Sequence, residues 1–105
     1  MENCCELENG RLTIRMPKEL DHHQANQLKM EADLMMEAYP VKELVFDFAG
    51  TEFMDSSGIG MIIGRCRNMN YHGGNVSARN LSPRVRKIFL VSGLHKLIQV
   101  EDVEK

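Results

Sequence analysis

The run Leu44-Val45-Phe46-Asp47-Phe48 constrains the fold more than any other stretch of the chain. It is compact, apolar and rich in strand-forming residues, the pattern of a buried central strand. Such a strand needs amphipathic elements to cover it, and the sequence supplies a helical pattern on each side. Asp21 opens the first, with Gln24 at the spacing of a capping box. Ala25, Leu28, Ala32, Met35 and Tyr39 then recur at alternating steps of three and four, forming one apolar stripe that Pro40 stops. After the strand, a loop through Gly50 and Asp55 leads into a second helix from about Ser57. Its expected buried face holds Ile59, Ile62, Ile63, Cys66 and Met69, and Gly73-Gly74 ends it.

The remaining segments extend the same alternation. Leu7–Met16 reads as a hairpin around Asn9-Gly10, the dipeptide best suited to a tight primed turn, with Pro17 ending its second strand. Asn75–Ala78 is a further short strand. Ser82-Pro83 places a cap before a proline in the first helical position, opening a third helix with Val85, Ile88 and Phe89 inside and Gly93 at its close. Leu97–Val100 is expected to be a last strand. The order predicts an α/β fold, a mixed β-sheet with helices packed on it. At 105 residues the prior is one domain, 1–105, able to bury roughly 60–70% of its unfolded surface.

Composition narrows the class. No apolar run approaches the ~18 residues of a membrane span, and Met1 begins no export leader, so neither membrane nor export is expected. Cys4 and Cys5 are adjacent, Cys66 is remote, and no Cys-x-x-Cys pair exists, which argues against a disulfide or zinc framework. The unpaired thiols and eight methionines fit a reducing cytoplasm. The net charge of −2 hides an asymmetry: no acid lies between Ser56 and Val100, a stretch carrying Arg65, Arg67, Arg79, Arg84, Arg86, Lys87 and Lys96. That half could present a basic face to an acidic partner, or the two halves could fold together and mix their charges on one surface. Direct nucleic-acid binding is not expected, because Tyr71 and Phe89 are the only rings there that could stack on bases and no binding motif occurs.

Catalytic patterns are scarce. Ser56 and Ser57 follow Met54 and Asp55, so the Gly-x-Ser-x-Gly elbow is absent. Gly58, Gly60 and Gly64 imitate a dinucleotide fingerprint, but no acid stands about 20 residues on to hold a ribose. His22 and His23 would point about 100° apart on a helix, poor geometry for a metal. What remains is Phe53-Met54-Asp55-Ser56-Ser57-Gly58, a polar knot where a loop becomes a helix. A cap accounts for it in bland terms. A hydroxyl at that place would also be exposed, close to free backbone N–H groups, so that a phosphate there would find partners.

Phe53–Arg65, read as Phe-Met-Asp-Ser-Ser-Gly-Ile-Gly-Met-Ile-Ile-Gly-Arg, resembles the phosphorylation segment of STAS-domain anti-sigma factor antagonists, closest to the sporulation type that acts on the anti-sigma factor of sigma-F. Glu19-Leu20-Asp21-His22-His23 resembles a second family motif, and Ser82-Pro83 with Val91-Ser92-Gly93-Leu94 a third, all in order and at matching intervals. The resemblance implies a STAS-type mixed sheet, a phosphorylation site at Ser56, and a partner-binding face of Asp21, Asp55, Ser56, Ser57 and Gly58. It implies a cytoplasmic, monomeric binding protein, not an enzyme, with no cofactor, metal or catalytic residue of its own. Its partners would be an anti-sigma factor that is also an ATP-using serine kinase, and a manganese- or magnesium-dependent PP2C-type phosphatase. Unphosphorylated, it would bind the kinase and release the sigma factor. The alternatives are an adaptor in another STAS signalling complex or a weak nucleotide-binding protein. The chain departs from the family at Pro17-Lys18, where a glycine is usual, and the sequence ends at Lys105, short of the fourth helix expected in the family.

Overall fold

Asn9 and Gly10 have φ of 53° and 80°, the left-handed pair that a type I′ turn requires. The turn joins strand β1 (Cys5–Glu8) to β2 (Arg11–Arg15) as an antiparallel hairpin. The structure, a computed structural model, describes residues 4–101. After the hairpin come β3 (Glu19–Leu20), α1 (His22–Ala38), β4 (Glu43–Asp47), β5 (Phe53–Met54), α2 (Ser56–Tyr71), β6 (Asn75–Arg79) and α3 (Pro83–Ser92). A short 3-10 turn, Leu94–Lys96, leads to β7 (Gln99–Glu101).

The main sheet has the order β1-β2-β4-β6-β7, with every pair after the hairpin parallel, so the expected mixed sheet is present. Its register is continuous. Leu12, Leu44 and Val76 form one row across the strands, and Ile14, Phe46 and Ala78 the next. Because side chains alternate along a strand, both rows share a face. They join one buried cluster with Leu28 and Ala32 of α1, Ile62 and Cys66 of α2, and Val85 and Phe89 of α3. The opposite face carries paired charges: Arg11 meets Glu43 at 3.1 Å and Arg79 meets Asp47 at 3.6 Å. Between these charges Val45 is buried as well, so the middle of the central strand is covered on both faces, as its apolar run predicts.

Caps set the helix limits as the sequence predicts. Ser82 Oγ accepts the Val85 N–H at 3.2 Å, Pro83 occupies the first turn, and Gly93 turns out of α3 at φ 84°. Several expectations are corrected. Tyr39 leaves the α1 stripe and is half exposed, because the helix ends at Ala38 and Tyr39 has extended backbone. In α2, Met61 and Arg65 are buried where Ile59 and Ile63 were expected, and these two are only partly covered. Ile88 of α3 is likewise partly exposed. The last strand starts at Gln99, since the 3-10 turn takes the residues before Leu97 and leaves Leu97 exposed.

Phe48, just past β4, is fully buried and meets Phe89 edge-on at 5.4 Å, tying the central strand to α3. Phe48→Ala should lower stability by about 3–5 kcal/mol. A urea titration should show it as a lower midpoint with an unchanged slope.

Candidate functional site

Two short strands that hydrophobic periodicity does not reveal build the site. β3 and β5 pair in parallel, Glu19 opposite Phe53 and Leu20 opposite Met54, and the Asp55 N–H donates to the Leu20 carbonyl at 3.2 Å. One residue beyond this ladder each strand becomes a helix, so Asp21 and Asp55 cap α1 and α2 next to each other. Asp21 Oδ1 accepts the Gln24 N–H at 2.9 Å, and Asp55 Oδ1 accepts the Gly58 N–H at 3.1 Å. Pro17-Lys18 makes a workable entry: the Lys18 carbonyl accepts N–H groups from Glu52 and Phe53 at 2.7 and 3.2 Å.

The serines that follow Asp55 differ in their surroundings. Ser56 is the first residue of α2, is exposed, and has no hydroxyl partner among the described residues. Ser57 is half-buried, with Oγ 3.1 Å from His22 Nδ1, a link between the starts of the two helices. Asn26 Nδ2 lies 3.4 Å from His22 Nε2. The His22–Ser57 contact works as a latch between the two helix starts. Gly58 is buried: a Cβ there would stand 2.7 Å from both Leu20 Cγ and the Leu20 carbonyl oxygen. It offers a surface partner no side chain, and its part in the site is to let α2 approach β3.

One helical turn from Ser56, Ile59 reaches the edge of a shallow apolar groove of about 320 Å³ between α2 and α3. Ile88 and Val91 line its far wall, and Arg84 and Lys87 stand along it. Val91 is 81% exposed. The structure thus brings together Asp21, Asp55, Ser56, Ser57 and Gly58, all singled out in the sequence. It adds His22, Ile59, Ile88 and Val91, of which Ile59 and Ile88 had been assigned to the core and Val91 named only within a family motif. Their signal is that they fall at the edge of a helical stripe and not at its centre.

A five-stranded mixed sheet covered on one face by three helices, with a serine set after a capping carboxylate at a helix start, defines the class. The STAS domain model matches residues 6–105, and the chain belongs to the STAS domain family. It is 33% identical over 99 residues to the anti-sigma F factor antagonist of Paenibacillus polymyxa, covering 94% of this chain and 85% of that one. It is 36% identical over 83 residues to the anti-sigma F factor antagonist of Lysinibacillus sphaericus, covering 79% and 71%. Among solved structures it matches the anti-sigma factor antagonist SpoIIAA in its unphosphorylated form, at 32% identity and a TM-score of 0.84 over 96% of this chain and 87% of that one. The phosphorylated form of Bacillus SpoIIAA matches at 31% and 0.77, over 96% and 90%. The chain is thus of the SpoIIAA type, and the relatives are named for antagonism of an anti-sigma factor, a regulatory role and not an enzymatic one. No helix among the described residues is long and apolar enough to cross a membrane.

The glycines of α2 separate packing from composition. Gly58→Ala must displace Leu20 and should lose about 1–3 kcal/mol. Gly60→Ala meets nothing within 4 Å, so it should gain up to about 1 kcal/mol of helix propensity. Urea denaturation of the two variants should give opposite signs.

Proposed function

We propose that the chain is a cytoplasmic, monomeric anti-sigma factor antagonist switched by phosphorylation of Ser56. The unphosphorylated protein binds an anti-sigma factor that is also an ATP-using serine kinase, and so frees the sigma factor. The kinase transfers phosphate to Ser56 and the complex parts; a manganese- or magnesium-dependent PP2C-type phosphatase restores the binding form. The observation that carries this is the exposed, unpartnered Ser56 hydroxyl at the start of a carboxylate-capped helix, beside the groove of Ile59, Ile88 and Val91. Engagement of Ser57 by His22 supports Ser56 as the acceptor. The relatives' names and the existence of SpoIIAA structures in both unphosphorylated and phosphorylated forms support the same assignment. The groove offers apolar area, and Arg84 and Lys87 favour an acidic rim on the partner.

The energetics favour a switch that spares the fold. A phosphate adds about −1.5 to −2 charges at neutral pH and gains roughly 0.3–1 kcal/mol from the helix start. Against Asp55, at about 5 Å, a unit charge is repelled by about 0.8 kcal/mol in water and about 3 kcal/mol at an effective dielectric near 20. In the wet free protein the terms nearly cancel. At a dried interface repulsion grows and the phosphate must also shed its water.

With the cognate kinase and ATP, mapping should find one phosphate, on Ser56, retained in Ser57→Ala and lost in Ser56→Ala. Ser56→Asp should melt within a few degrees of the parent yet bind the anti-sigma factor at least tenfold more weakly, about 1.4 kcal/mol. A mimic that binds with unchanged affinity would sink the proposal.

Asp21 separates a cap from a contact. Asn caps as well as Asp but carries no charge. Asp21→Asn should leave the melting temperature almost unchanged and weaken partner binding or phosphorylation. If Asp21 is a cap alone, neither property should move, and a loss of ~1 kcal/mol or more with normal binding would count against a role in partner contact.

A further inference from the structure

Away from Ser56, where β1 meets α1, three potential metal donors converge. Cys4 Sγ and Cys5 Sγ lie 3.6 Å apart, and Glu31 Oε1 stands 2.6 Å from the first and 4.0 Å from the second. All three donor atoms lie within 4.8 Å of one another. We propose that Cys4, Cys5 and Glu31 bind a thiophilic divalent cation of the Zn²⁺ class, with a fourth position open to solvent. This departs from the expectation drawn from cysteine spacing, because the third donor comes from a helix far along the chain.

The distances fit that chemistry. With Zn–S bonds of about 2.3 Å, a 3.6 Å sulfur separation gives an S–Zn–S angle of about 103°, close to tetrahedral. A two-coordinate linear ion of the Cu(I) kind would need its sulfurs about 4.5 Å apart, at roughly twice a metal–sulfur bond of that length. Tetrahedral S–Zn–O geometry sets S···O near 3.5 Å, between the two observed values, so a shift of about 1 Å in the exposed Glu31 side chain completes the site.

The main rival, a disulfide between the neighbours, is disfavoured by geometry. Adjacent Cα atoms are about 3.8 Å apart across a trans peptide, below the usual span of a disulfide. The peptide that would have to rotate is held in place: the Cys4 carbonyl accepts the Arg15 N–H at 2.7 Å, and Cys5 pairs with Ile14.

Zn²⁺ titration of the full chain against a chromophoric chelator, under reducing conditions, tests this. One equivalent should bind, at least tenfold more weakly in Cys4→Ser and in Cys5→Ser, several-fold more weakly in Glu31→Gln, and unchanged in Cys66→Ser, whose thiol is buried elsewhere in the core. Co²⁺ should give a near-ultraviolet sulfur-to-metal absorption that Cys5→Ser removes. Glu31 is exposed, so Glu31→Gln keeps the test valid if a cysteine variant loses its fold. Absence of binding, cysteine variants with parental affinity, or loss of binding on replacing His22 and His23 would each overturn the proposal.

Discussion

Everything at the functional end of the molecule depends on how closely the start of α2 approaches Leu20. The absence of a Cβ at Gly58 permits the contact, and a methyl group there would collide with both the side chain and the carbonyl of Leu20. That carbonyl is already committed to the Asp55 N–H. The backbone of β3, the cap of α2 and the close approach of α2 at Gly58 therefore share one residue. Moving α2 outward would break the β3–β5 ladder, separate Asp21 from Asp55 and release the His22–Ser57 latch together.

The far ends of α1 and α2 are joined by a different kind of interaction. Arg65 is 9% exposed, and its Nε lies 3.3 Å from Asp33 Oδ1 without hydrogen-bond alignment, while its Nη1 has no hydrogen-bond partner. The Asp33 side chain is partly exposed, so solvent screens the pair, but losing it would leave the buried guanidinium without its counter-ion. The helix pair is thus fixed at one end by steric closeness and at the other by charge.

Much of this was legible in the sequence, and the gaps have physical causes. Asn9-Gly10, Asp21, Ser82-Pro83 and Gly93 announce their turn and caps because each needs a special backbone or side-chain acceptor whatever the tertiary context. The α/β class followed from alternating apolar periods. β3 and β5 were invisible since two residues carry no period, although they position the site. The α2 stripe was misplaced because the five apolar side chains of its pattern outweigh one arginine, and the ion pair that lets Arg65 go inside depends on Asp33 of another helix. The polar knot at Phe53–Gly58 was found by its residue types, but the difference between Ser56 and Ser57 rests on His22, which only the fold brings near.

That difference bears on why the proposed switch could sit on a small domain at little cost to its stability. The core is filled by sheet rows and helix stripes that exclude Ser56 altogether. Asp55 spends one carboxylate oxygen on the Gly58 N–H, so its charge is anchored and cannot swing away from a group added next to it. A neutral cap would hold the helix equally well. The carboxylate keeps a fixed negative charge beside the serine, harmless while solvent screens it and costly once a docked partner removes the water. On the proposed function, the same carboxylate that caps the helix would make binding sensitive to charge at Ser56, and the groove beyond Ile59 could stay apolar without taking part in the discrimination.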